Sequence, residues 1–234
     1  GGSMFLKTGE LKKLMKASLK TQGLAIGFIE TDLGSYYLAY SDFWGLKVDE
    51  DAAANRFKAA IMELVGEIPE RGSCHAYQID PDTGITYSSI WDYPDPYMDW
   101  KRAKDSAKET PLILSIWPHE YRVYQREGGK GYLAVSRAWT DHMLSPKELT
   151  DIESMPGPPS LRRIGEDMDI LYFKNQTTIY WVCSANPGEK SREVLFPRLR
   201  ELDFSEEDWL WKDRKKCGVG EAGDSEPEEG GLPY

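Results

Sequence analysis

The sequence predicts an α+β protein: two tandem helix, three-strand, helix and hairpin units with antiparallel sheets, followed by a disordered acidic tail. Three observations carry this. The order of elements read over residues 8–91 occurs again over 97–185. Apolar and β-prone runs are separated by clusters of Gly, Pro, Asn and Asp, the residues that turns require. Apolar residues make up 40% of the chain, with 8 Trp, 13 Tyr and 7 Phe, and each buried aromatic removes about 150–250 Å² from water. A chain of 234 residues holds two units of ordinary domain size. The expected boundaries are 4–91, a linker at 92–96, 97–216 with a C-terminal extension, and a tail at 217–234.

In the first unit, Met4 to Lys7 reads as a short strand, and Gly1, Gly2 and Ser3 ahead of it read as a cloning remnant. Thr8 is the expected N-cap of a helix with Leu11, Leu14, Met15 and Leu19 on one face, stopped at Gly23. Leu24 to Glu30 and Ser35 to Tyr40 form a hairpin about Asp32, Leu33 and Gly34, and Phe43 to Val48 is a third strand. The acidic run from Asp49 opens a helix whose buried stripe is Phe57, Ala60, Ile61, Leu64 and Val65, ended by Pro69. Cys74 to Ile79 and Ile85 to Trp91 flank a turn at residues 80–84.

In the second unit, Tyr97 to Lys108 is expected to be helical up to Pro111, followed by strands at Leu112 to Trp117, Glu120 to Arg126 and Tyr132 to Trp139. Ser145, Pro146, Lys147 and Glu148 form a capping box with proline at the first helical position, so a helix is expected to start there. Met168 to Lys174 and Thr177 to Ala185 form a hairpin about Asn175 and Gln176. Val194 to Leu202 is read as a strand, and Ser205 to Asp208 as the cap of a short helix bearing Trp209 and Trp211.

A net charge of −10 argues against a generally basic nucleic-acid coat and makes the placement of the positive residues informative. Cys74, Cys183 and Cys217 are odd in number and far apart, and no apolar run is long enough to span a bilayer. The expected setting is a reducing cytoplasm, with no membrane partner.

The chain offers little chemistry. His75, His119 and His142 have no companion at metal-ligand spacing, so neither a metal nor a cofactor is expected. Cys74 and His75 are adjacent on a strand and point to opposite faces, which rules out a thiolate and base pair. The carboxylate clusters at residues 49–51 and 206–208 have the chemistry to bind a cation, but both sit where helix N-termini favour negative charge, and that reading is preferred. Gly128, Gly129 and Gly131 precede a strand, where a phosphate cradle needs a helix. No catalytic residue is assigned.

The basic residues are more informative. Lys12, Lys16 and Lys20, with Lys13 beside them, form one stripe on the first helix, and Lys101, Lys104 and Lys108, with Arg102 adjacent, form another on the expected second-unit helix. Like charges four apart cost a helix about 0.2–0.5 kcal/mol per pair, so a repeated stripe suggests an anionic partner. Tyr93, Tyr97, Trp100, Trp209 and Trp211 sit beside proline or charge, as interface anchors do.

With the repeated unit and its basic helices in view, the chain resembles the DNA sliding clamps, the polymerase processivity factors, over residues 4 to 185. The likeness is one of element order, size and charge placement, with no signature matched residue for residue. It implies a clamp-like fold whose basic helices face a central hole. Lys147 followed by Glu148, Asp151 and Glu153 departs from that pattern in the second helix.

The expected function is a non-enzymatic, clamp-like, DNA-associated protein contacting the phosphates of duplex DNA without reading sequence, and self-associating into a homo-oligomer. The alternative is an interaction or inhibitor protein, from a phage or mobile element, that binds a host nucleic-acid enzyme.

Overall fold

The computed structural model describes residues 4–128 and 131–206. Helix α1 (Thr8–Thr21) buries Leu11, Leu14, Met15 and Leu19 on one face. It ends where Gly23 takes a left-handed φ of +91° and donates its N–H to Ser18 O. A meander of β1 (Leu24–Thr31), β2 (Gly34–Tyr40) and β3 (Trp44–Asp49) follows. Then come α2 (Asn55–Val65), β4 (Ser73–Asp80) and β5 (Gly84–Ser89). The second half contains α3 (Pro96–Arg102), β6 (Asp105–Ile116), β7 (His119–Arg126), β8 (Tyr132–Ser136), β9 (Ser160–Ile164), β10 (Met168–Lys174), β11 (Thr178–Cys183) and α4 (Phe196–Leu199). The protein is therefore α+β, as expected.

All strands join one antiparallel sheet in the order β5-β4-β1-β2-β3-β11-β10-β9-β6-β7-β8. In the first half β1 pairs with β2 and β4, and β4 with β5. In the second β6 pairs with β7 and β9, and β9 with β10. The halves meet where β3 pairs with β11.

Strand alternation gives the sheet two unlike faces. Leu24, Ile26, Phe28, Tyr37, Ala39, Trp44, Leu46, Val48, Leu171, Phe173, Tyr180 and Val182 belong to the main core. In the first half α1 and α2 cover that face. In the second half it is covered by strands: β6 touches β9 only through Asp105 and Ser106, shifts register between Glu109 and Ile113, and carries β7 and β8 back over β10. The Tyr124 ring lies 6.5 Å from Phe173, and Arg126 pairs with Asp169. The opposite face holds two smaller clusters, bridged by Trp181, and α3 lies there with Trp100 and Ala103 against Ile170, Tyr172, Ile179 and Cys183.

Several expected elements differ. The helix expected over 97–108 stops at Arg102; Lys104 lies in the connection and Lys108 in β6, paired with Gln125. The backbone of 105–109 finds partners in β9 and β7, and the sheet ladder outweighs the helical spacing of the lysines. No helix starts at Ser145, because the Ser145 N–H bonds Phe5 O and Glu148 accepts from Thr8 Oγ1, leaving only a turn closed by Lys147 N–H on Ser145 Oγ. Residues 191–199 are helical where a strand was expected from Val194. Strand β9, beside the proline-rich stretch, was missed. The Met4 to Lys7 strand is reduced to one bridge between Leu6 and Leu144. The helix bearing Trp209 and Trp211, and the tail at 217–234, lie outside the described residues. Among those described, no helix is long and apolar enough to cross a membrane.

Candidate interaction site

A cleft of 720 Å³ opens where the two halves meet, lined from the β1–β2 turn, the end of β3, the β10–β11 turn and α3. Its wall follows from strand alternation. Trp44, Leu46 and Val48 point into the main core, so Lys47 and Asp49 point to the other face, beside Tyr36 of β2 and Lys174 of β10. Asp95 caps α3, accepting the Met98 N–H at 3.2 Å, and Pro96 occupies the first turn. Helical spacing then sets Tyr97, Trp100 and Lys101 on neighbouring positions, with the two rings 5.7 Å apart.

Lysines and aromatic rings alternate through this junction. Lys47 Nζ sits 4.5 Å from the Tyr36 ring centre and 5.6 Å from that of Tyr97. Lys101 lies 4.9 Å over Tyr97, and Lys174 lies 4.8 Å over Trp100. A further cavity of 380 Å³ on the far side of this stack shares Lys174, Asn175 and Gln176 and is walled by Trp100 and Tyr172. Asn175 holds the β10–β11 turn rigid, its Oδ1 accepting the N–H groups of Thr177 and Thr178 at 3.1 and 2.9 Å.

Burial shapes the electrostatics. It pushes the Tyr36 phenol up to about 12, helped by the charge of Asp95. It also raises the Asp49 carboxyl, against the pull of Lys47 and Lys174. Arg71 forks onto Glu50, with Nη2 to Oε1 at 2.8 Å, and donates to Ser35 Oγ at 2.7 Å. Among the lining side chains, Asp49 and Asp51 accept no hydrogen bond from a described residue.

The sequence-predicted residues fall into separate places. Tyr93 packs beside Ile29, Tyr36, Leu38 and Cys74 on the face opposite the main core, and Lys101 stacks on Tyr97. Arg102 pairs with Asp99 at 3.7 Å, Lys104 is exposed, and Lys108 donates to Ser205 O at 2.9 Å. On α1, Lys12 pairs with Glu63, Lys13 pairs with Glu10 at 3.0 Å, and Lys16 and Lys20 are exposed. Because α1 covers the main-core face and α3 the opposite one, the two basic groups do not share a surface. Trp209 and Trp211 lie outside the described residues. Tyr36, Lys47, Arg71 and Lys174 were not foreseen, and Asp49 was read as part of an acidic cluster at a helix start; the alternation Trp44, Leu46, Val48 assigns Lys47 to a face, but its neighbours come from distant chain segments.

Among the described residues no cluster of three His, Cys, Asp or Glu side chains is placed to hold a metal. His75 stacks on Tyr87 at 4.5 Å, with Nδ1 3.2 Å from the Tyr77 hydroxyl, which donates to Glu67 at 2.7 Å. Cys74 packs on the other face, its thiol pushed up to about 11 by burial, far from a thiolate at neutral pH. Comparison with protein-family models, with curated proteins and with solved structures gives no match.

Proposed function

We propose that this chain is a non-enzymatic interaction protein that holds a basic, extended segment of a partner protein in the cleft at the junction of its halves. The observation that carries this is the gathering of Tyr36 and Tyr97 with Lys47 and Lys174 around one opening, with Lys101 stacked on Tyr97 and Trp100 walling the adjacent cavity. Rigid aromatic side chains are the anchors that interfaces favour. Charge selects the partner: the lining carries Asp49, Glu50, Asp51 and Asp95 against Lys47, Arg71 and Lys174. Arg71 is committed to Glu50 and the pull of Lys47 and Lys174 falls on Asp49, so Asp51, which accepts no hydrogen bond from a described residue, is left to attract cations. A host nucleic-acid enzyme is one such partner.

A second reading, a clamp-like DNA-associated protein built of two copied units, draws support from the recurring pairing pattern of β1, β2, β4 and β5 with β6, β7, β9 and β10. Its basic helices, however, lie on opposite faces, and we rank it second. Immobilised full-length chain tests the two together. A protein retained by the parent and by Lys16→Glu/Lys20→Glu, but lost by Tyr97→Ala/Trp100→Ala and by Asp51→Lys, supports the cleft. Capture untouched by the cleft variants counts against it, and retention on circular duplex DNA that Lys16→Glu/Lys20→Glu abolishes favours the clamp.

A further inference from the structure

The two ends of the sheet are treated differently. At one end β8 is short, its three middle residues are buried, and the Ala134 carbonyl accepts the Ala185 N–H at 2.8 Å, so chain crosses that edge. At the other end all six residues of β5 are exposed, and no described backbone pairs with its outer side. The Ile90 N–H bonds Cys74 O on β4. Inward bonding recurs every second residue in an antiparallel ladder, so the N–H and C=O groups of Ile85, Tyr87 and Ser89 point away from the sheet.

Such an edge is normally blunted by charge, proline or a covering segment. The sequence Gly84, Ile85, Thr86, Tyr87, Ser88, Ser89 has neither charge nor proline. Register places Tyr87 opposite Tyr77 and Ile85 opposite Ile79. Ile79, Ile85 and Tyr87 therefore share one face, and they stand 44%, 40% and 57% exposed.

We propose that two copies of this chain pair through β5, antiparallel about a two-fold axis at Tyr87. In that register the outward groups of Tyr87 meet those of the partner subunit's Tyr87, and Ile85 meets Ser89 of the partner subunit, with every outward donor facing an acceptor. Charge favours a second copy as the occupant: in a chain of net charge −10 this strand is neutral, so two copies meet without like charges along the pairing. The apolar residues of both copies then form one continuous patch. With β5 the one open edge among the described strands, the assembly closes at two and does not grow into a ring or a fibre. A single strand pair with this small patch buries less than a permanent dimer does, which makes the association reversible and concentration-dependent.

Sedimentation velocity over a concentration series tests this, with circular dichroism confirming that each variant is folded. The expected result is a monomer–dimer equilibrium with nothing larger, tightening as salt screens the net charge. Tyr87→Pro removes the outward N–H, a backbone change edge strands accommodate, together with the ring stacked on His75, and should weaken the dimer at least about tenfold. Tyr87→Lys and Tyr87→Glu should each be monomeric alone and form a heterodimer when mixed, because the two positions face one another across the axis. A parent chain that stays monomeric, species beyond a dimer, a dimer indifferent to Tyr87→Pro, or charge variants that do not rescue each other would each overturn the proposal.

Discussion

A Cβ on Gly45 would lie 1.8 Å from the Trp181 ring. The two residues are direct partners across β3 and β11, where the two halves of the sheet meet, and the indole fills the space that a side chain at 45 would need. Trp181 in turn bridges the two clusters beneath α3. Gly45→Ala should therefore force the ring or the strands apart and cost at least about 1–3 kcal/mol. Denaturant unfolding measures it, and a loss below about 0.5 kcal/mol would show that the seam yields without strain.

Arg122 is 5% exposed and holds the β6–β8 layer together from inside. Its Nη2 pairs with Asp141 at 2.7 Å and its Nε with Glu109 at 3.2 Å, while Nη1 donates to Thr110 O at 3.2 Å. Arg122→Ala takes the guanidinium from Glu109 in a poorly solvated place, while Asp141 keeps Arg137 at 2.8 Å, and should cost about 3–5 kcal/mol. The loss should be smaller when Glu109→Gln is added, because less unbalanced charge remains; equal losses in the single and double variants would argue against an electrostatic origin.

Burial raises the folded-state pKa of Asp49 above its unfolded value. A raised carboxyl pKa means that ionisation costs the folded chain more than the unfolded one. The penalty is absent below the ordinary carboxylate range near about 4 and fully present above the raised folded value. Asp49→Asn should match the parent in acid and become progressively more stable than it as pH rises to neutrality. Thermal melts across that range check this, and a variant less stable at neutral pH would mean that Lys47 and Lys174 outweigh the burial.

Tyr97 is exposed and Trp100 half-buried, so Tyr97→Ala should cost little stability, under about 1 kcal/mol, the size of its contacts with Lys47 and Lys101. Its effect should appear in partner affinity, as a loss of at least about tenfold by titration calorimetry. An unchanged affinity would move the anchor away from α3.

How much the sequence revealed depends on the range over which each signal acts. Leu11, Leu14, Met15 and Leu19 announced α1 because helical spacing is local, and Asp32 to Gly34 announced the β1–β2 turn for the same reason. Lys101, Lys104 and Lys108 misled because their spacing was helical while the backbone of 105–109 had ladder partners in β7 and β9, visible only in three dimensions. Ser145 to Glu148 carried a local cap signal, but Phe5 and Thr8, far away in the chain, claimed its hydrogen-bonding groups. Of the cleft lining, Tyr97 was singled out in the sequence as an interface anchor, whereas Tyr36, Lys47 and Lys174 required the pairing of β3 with β11.

That pairing also sets an order of events during synthesis. Strand β3 leaves the ribosome well before its partner β11, the last of the described strands, so a growing chain displays the free backbone of Trp44 to Asp49 while everything between them is translated. A vulnerable interval of this length favours chaperone engagement or slow, late consolidation. Truncations that stop before Thr178 should accordingly aggregate, whereas those that stop after Leu199 should remain dispersed.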